Sequence, residues 1–177
     1  MLNDNIPAGS QILPFFLADG SNDIALIRGR VASVGAVANS IIERHAYPYV
    51  VSCLQAEALA LAACLSSTLK FDGVFTLQAK GDGPVRTLFA DITQAGDLRG
   101  YCSFNEDQCQ LAEMQLAQPH DQTVSIAPLL GGGYIAFTIE DSNTEGRYQG
   151  IIELDGPHLS DAAVRWFENS EQTETMV

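Results

Sequence analysis

The stretch Tyr49-Val-Val-Ser-Cys-Leu-Gln-Ala-Glu-Ala-Leu-Ala-Leu-Ala-Ala-Cys-Leu-Ser-Ser-Thr-Leu69, with the change of rhythm that follows it, decides the fold. Alanine and leucine are strong helix formers, and twenty-odd residues pass without Gly or Pro. The apolar positions cover more than one face, so this helix belongs at the centre of a core. Gln55, Glu57, Ser52, Ser66, Ser67 and Thr68 interrupt the run, which reads as a buried helix rather than a membrane span. From Phe71 the period drops to two. Gly73-Val-Phe-Thr-Leu-Gln-Ala-Lys80 alternates and predicts a strand. Gly81-Asp-Gly-Pro84 supplies permissive backbone angles and then a fixed one, which predicts a turn. Val85 to Ile92 is the return strand of a β-hairpin.

Working outward, Leu98 to Phe104 predicts a third strand. Asn105 to Gln122 is polar and irregular, with room for a short helix around Cys109 to Leu116. Ser125-Ile-Ala-Pro-Leu-Leu130 leads into Gly131-Gly132-Gly133. Tyr134 to Glu140 and Arg147 to Leu154 predict a second strand pair, joined by the turn-rich Asp141 to Gly146. Along the latter strand Arg147 and Gln149 share one face and Tyr148 takes the other. Leu159 to Glu168 is an amphipathic helix carrying the single tryptophan, Trp166. Upstream, Asp23 to Ala32 predicts a strand. Ser33 is placed to cap a helix running through Val37, Ile41 and Ile42 to Arg44, which Tyr47-Pro48 interrupts. Strands and helices fall in blocks rather than in βαβ alternation. The expected fold class is therefore α+β: antiparallel β-hairpins or mixed sheets packed around one long buried helix, in a single domain over residues 1–177.

The composition is globular, 46% hydrophobic and 18% charged in 177 residues, enough for one real core. The formal net charge is -13. An anion of this strength repels phosphate backbones and anionic lipid surfaces, so neither nucleic acid nor membrane is expected as a partner. Met1 to Gln11 has no positive cluster followed by an apolar run, which points to a cytoplasmic location.

Reactive motifs are sparse. Cys53, Cys64, Cys102 and Cys109 form no C-x-C or C-x-x-C pair and read as small buried hydrophobes. His45, His120 and His158 are scattered and read as surface or helix-end residues. Neither Gly81-Asp-Gly-Pro84 nor Gly131-Gly-Gly133 has the G-x-x-x-x-G-K-[ST] spacing of a phosphate loop, so both read as turns. No G-x-S-x-G elbow is present. No catalytic, cofactor-binding or metal-binding residue is assigned, and no cofactor is expected. On residue chemistry alone the chain is a soluble acidic α+β domain. Two alternatives remain at this point: an enzyme with a pocket near Gly131 to Tyr134, and a dimerisation or interaction module.

A set of short motifs, taken in order, resembles the heat-shock protein 33 family. These are His45-Ala-Tyr-Pro48, Thr68-Leu-Lys-Phe-Asp-Gly73, Leu77-Gln-Ala-Lys-Gly-Asp-Gly-Pro84, Leu98-Arg-Gly100, Gly131-Gly-Gly-Tyr134 and Glu145-Gly-Arg-Tyr-Gln-Gly150, followed by Ser170-Glu171-Gln172. The resemblance implies an ATP-independent, redox-regulated holdase chaperone of the stress response, not an enzyme. It would bind unfolding client proteins and could form a homodimer. The resemblance also implies a C-terminal module in which C-x-C and C-x-x-C cysteines hold zinc and form disulfides on oxidation. None of the four cysteines here matches those ligands, so that module is expected to be missing, and the apolar Met176-Val177 is expected to be a strand cut short. Lys70, Asp72, Gly73, Gly81, Gly83 and Pro84 are expected to fix the helix exit and the hairpin turn, as structural rather than client-binding residues.

Overall fold

Five strands, β3 (Gly73–Gly81), β4 (Val85–Thr93), β5 (Leu98–Phe104), β6 (Gly133–Asp141) and β7 (Gly146–Glu153), form one sheet in a computed structural model of the chain. Their order is β5-β4-β3-β6-β7, and every pairing is antiparallel. Ahead of them β1 (Gln11–Ala18) and β2 (Ala25–Ser33) pair as a separate two-stranded sheet. The helices are α1 (Gly35–His45), α2 (Tyr49–Ser66), α3 (Glu106–Leu116), α4 (Ala127–Leu130) and α5 (Leu159–Trp166), the last followed by a π-helical turn, Phe167–Glu171. The structure describes residues 9–18, 25–116, 125, 127–142, 146–171 and 175–177. His120, Glu145 and Gln172 lie outside them.

The period-two alternation sorts each strand into a core face and an open face. Phe75, Leu77 and Ala79 of β3, Leu88, Ala90 and Ile92 of β4, and Ile135 and Phe137 of β6 are buried together. Helix α2 lies across β4 and β5 on that face, with Val51, Leu54, Ala58, Leu59, Ala62 and Ala63 fully buried. Alanine at so many positions lets the helix approach the sheet closely. By length and composition alone α2 could cross a membrane, but most of it is enclosed by the protein.

Two glycines make room for this packing. A Cβ on Gly100 would stand 2.5 Å from Nε2 of Gln55, the α2 side chain that donates to the Phe89 carbonyl at 3.1 Å. A Cβ on Gly150 would stand 2.4 Å from Nε1 of Trp166. Trp166 stacks on Phe137 with ring centroids 4.9 Å apart, so α5 closes the β6–β7 end of the core.

Several expectations needed correction. Strand β1 was not anticipated. Ser33 does not cap α1: it is the last residue of β2, paired with Gln11, and the N-cap position is Val34 with no side-chain cap bond. The capping oxygen comes from Ser10, whose Oγ accepts the Val37 N–H at 3.3 Å. Helix α3 begins at Glu106 rather than near Cys109, because Oδ1 of Asn105 accepts the Gln108 N–H at 3.0 Å.

Candidate functional site

The two glycine-rich turns meet each other. Asp82 donates its N–H to the Gly132 carbonyl at 3.1 Å, and its Oδ1 accepts the Gly132 N–H at 2.8 Å. Gly83 N–H donates to Leu130 O at 2.9 Å. Backbones approach so closely that a Cβ on Gly81 would lie 2.0 Å from Leu130 O, and one on Gly133 would lie 2.0 Å from Lys80 O. Gly131 has φ +65°, the left-handed region that favours glycine. These amides are spent on internal bonds. Clefts of about 570 Å³ and 360 Å³ occur elsewhere, near the exit of α2 and between the β3 start and β7, and neither is lined by residues 131–134. Gly73 is equally constrained, since its Cβ would lie 2.0 Å from Glu140 O.

Across the open face of the sheet runs a polar row. Arg99 Nη2 stands 3.0 Å from Asp91 Oδ2. Thr76 Oγ1 donates to Asp91 Oδ1 at 2.8 Å. Thr76 is in register with Thr138, whose hydroxyl accepts from Gln149 Nε2 at 2.8 Å. Gln149 and Arg147 do share this face, and Arg147 reaches Glu140 at 3.9 Å. Tyr148 is in register with Ile139 on the opposite face. These side chains satisfy one another and bring no nucleophile and base together.

The cysteines are separated by burial. Cys102 and Cys109 are buried, whereas Cys53 and Cys64 are half-buried. Burial pushes the Cys102 thiol up to about 12, with the neighbouring Cys109 adding to the rise. Burial also raises Cys109 and Cys64. A thiol so disfavoured as thiolate is a poor nucleophile and a poor metal ligand. Among the described residues no group of three His, Cys, Asp or Glu is placed to hold a metal ion. The cysteines therefore do not fit a zinc site. His45 stacks on Tyr47 at 5.0 Å, and His158 sits at the α5 N-cap with its N–H donated to Asp161 Oδ2 at 2.9 Å.

What the surface does offer is apolar area on the β1–β2 hairpin. Leu13, Phe16, Leu17, Ile27 and Val31 are each more than half exposed, and Phe15 is 39% exposed. Leu13, Phe15 and Leu17 share a face with Val31, Gly29 and Ile27, while Pro14 and Phe16 share the other with Arg30 and Arg28. Leu13, Phe15, Leu17, Ile27 and Val31 thus lie on one exposed apolar face, and exposed apolar patches are a feature of interaction sites. Sequence reading missed it, because apolar residues are assigned to the core by default.

Comparison with known proteins agrees with the motif order. The family model described as Hsp33 protein matches residues 11–177. A relative named 33 kDa chaperonin from Caulobacter vibrioides is 40% identical over 151 residues, covering 85% of this chain and 48% of its own length. Namesakes from Ectopseudomonas mendocina and Proteus mirabilis are 35% and 34% identical, with 46% and 47% of their lengths covered. The chain thus spans about half the length of the curated relatives it matches. The crystal structure of the 33 kDa chaperonin from Thermotoga maritima superposes with a TM-score of 0.72 over 91% of this chain and 51% of that one, at 21% identity, which shows the shared fold. With its family model matched from Gln11 to Val177, the chain belongs to the Hsp33 family.

Proposed function

We propose that residues 1–177 act as one core domain of an ATP-independent holdase, which holds unfolding proteins on apolar surface and keeps them from aggregating during heat or oxidative stress. It works in the cytoplasm, without catalysis and without a cofactor. The observation that carries this reading is the exposed apolar hairpin β1–β2 on a member of the Hsp33 family. A holdase needs apolar surface that stays accessible in the folded state. It also needs its loaded form to remain soluble, and the net charge of -13 supplies mutual repulsion.

Client holding by this chain is expected to be independent of oxidant, because its four cysteines form no C-x-C or C-x-x-C pair that could act as the switch the family resemblance implies. Light scattering of a heat-denatured client, with and without peroxide, tests the reading. Suppression of scattering that is unchanged by peroxide is expected. A strong requirement for peroxide, or no suppression under either condition, contradicts it.

A further inference from the structure

The cleft of about 570 Å³ at the exit of α2 has the size of a small-molecule site. Leu69, Phe71 and Ile92 give it an apolar patch. Its polar lining accepts hydrogen bonds and has few left to give. Ser66 Oγ already donates to Ala63 O at 3.1 Å, and Ser67 Oγ to Cys64 O at 2.8 Å. A hydroxyl whose proton is committed can only accept from a ligand. The N–H groups around it are spent as well. Leu69 donates to Ser66 O, Thr93 to Asp97 O, Gln94 to Gly73 O and Gly96 to Thr93 O.

Charge acts in the same direction. Asp72 and Asp141 line the cleft. Both take part in other interactions, but a carboxylate keeps its charge through these and has about four lone-pair sites to share. The C-terminal end of α2 adds the negative pole of an 18-residue helix. Among the described lining residues Lys70 is the one cation, and it is exposed. An acceptor-rich, net negative cleft with an apolar patch complements a cationic donor on an aliphatic stem.

We propose that this cleft binds a primary ammonium group on an aliphatic stem, as carried by an alkylamine or a lysine side chain. The stem lies on Leu69, Phe71 and Ile92, and the ammonium donates to Ser66, Ser67, Asp72 and Asp141. Lys70 opposes the ligand by its charge, so removing that charge tightens binding. The site uses none of the exposed hairpin residues and stands without the holdase reading.

Pentylammonium titrated into the full chain, followed through backbone amide NMR shifts, tests it. Pentanol supplies the stem without the charge, and methylammonium the charge without the stem. Pentylammonium is expected to shift residues 66–72 and 92–96 and to bind at least about fivefold more tightly than either control. Asp72→Asn should weaken it about fivefold, and Lys70→Gln should strengthen it by a similar factor. Asp107→Asn removes the same charge from α3, outside the lining, and should change little. Lysine blocked at its α-amine and carboxyl separates the two sources. Affinity at or above that of pentylammonium assigns the site to a polypeptide side chain, and lower affinity to a free amine. No shift at residues 66–72 and 92–96, equal binding of pentanol or methylammonium, or equal effects of Asp72→Asn and Asp107→Asn overturns the proposal.

Discussion

Glu57 on α2 accepts the backbone N–H of Leu159, the first residue of α5, at 3.1 Å across 102 residues of chain. This bond pins the start of α5 to the central helix, beside His158 and Asp161. Burial raises the Glu57 carboxyl above the ordinary glutamate range, while the Leu159 N–H and His158 pull it down and Asp161 adds to the rise. A raised carboxyl stabilises the fold only when protonated. That contribution is complete below the unfolded-state pKa and is lost as pH rises through the folded one.

It follows that Glu57→Gln, which keeps an acceptor oxygen and carries no charge, is at least as stable as the parent at pH 7. Its advantage should shrink on acidification to about pH 4, where the parent carboxyl takes up its proton. Glu57→Ala leaves the Leu159 N–H unsatisfied and should cost about 1–3 kcal/mol at both pH values. Urea titrations of the three proteins at two pH values measure this. A Gln variant clearly less stable than the parent at pH 7 contradicts it.

At the other end of α5, Gly150→Ala drives a methyl to within 2.4 Å of the Trp166 indole nitrogen. The expected loss is about 1–3 kcal/mol, as for other overpacked cores. Trp166 is the single tryptophan, so its fluorescence reports the shift in the urea midpoint directly. An unchanged midpoint would mean that α5 is free to move away from β7.

Ala46 ends α1 in the left-handed conformation, φ 49° and ψ 44°. A side chain there is strained, and glycine is not. Ala46→Gly should therefore stabilise by about 0.5–1 kcal/mol, set against the entropy that glycine adds to the unfolded chain. Thermal unfolding that moves to lower temperature would contradict this.

Thiol labelling should divide the cysteines. Cys53, half-buried on α2, reacts in the native state, and the half-buried Cys64 reacts more slowly because burial raises its thiol, whereas Cys102 and Cys109 react only as the fold opens. Peptide mass spectrometry after timed alkylation separates the two classes. Native-state labelling of Cys102 at the rate of a free thiol would contradict its burial.

Helix α2 and the β3–β4 hairpin were legible in the sequence, because a continuous apolar run and a strict alternation leave little choice of element. The β6–β7 pair and α5 were legible for the same reason. Gln11 to Ala18 was not, since its apolar residues run on without alternation and Pro14 falls among them. The α1 cap was misread because its partner is remote in sequence: Ser10 precedes β1, which the hairpin brings back beside Ser33. The glycine turns were legible as turns, but the lock between Asp82 and Gly132 was not, because fifty residues separate them. Least legible was the surface. Nothing in the residues Leu13, Phe16 and Ile27 says that they stay exposed, since exposure depends on what the rest of the chain leaves uncovered.

That exposure is the centre of the account. Its most direct test is light scattering of a thermally unfolding client in the presence of the parent protein or of a variant carrying Leu13→Ser, Phe16→Ser and Ile27→Ser, with Trp166 fluorescence confirming that the variant core is intact. The account predicts that the parent suppresses scattering and the folded variant does not. Full suppression by the folded variant would contradict it.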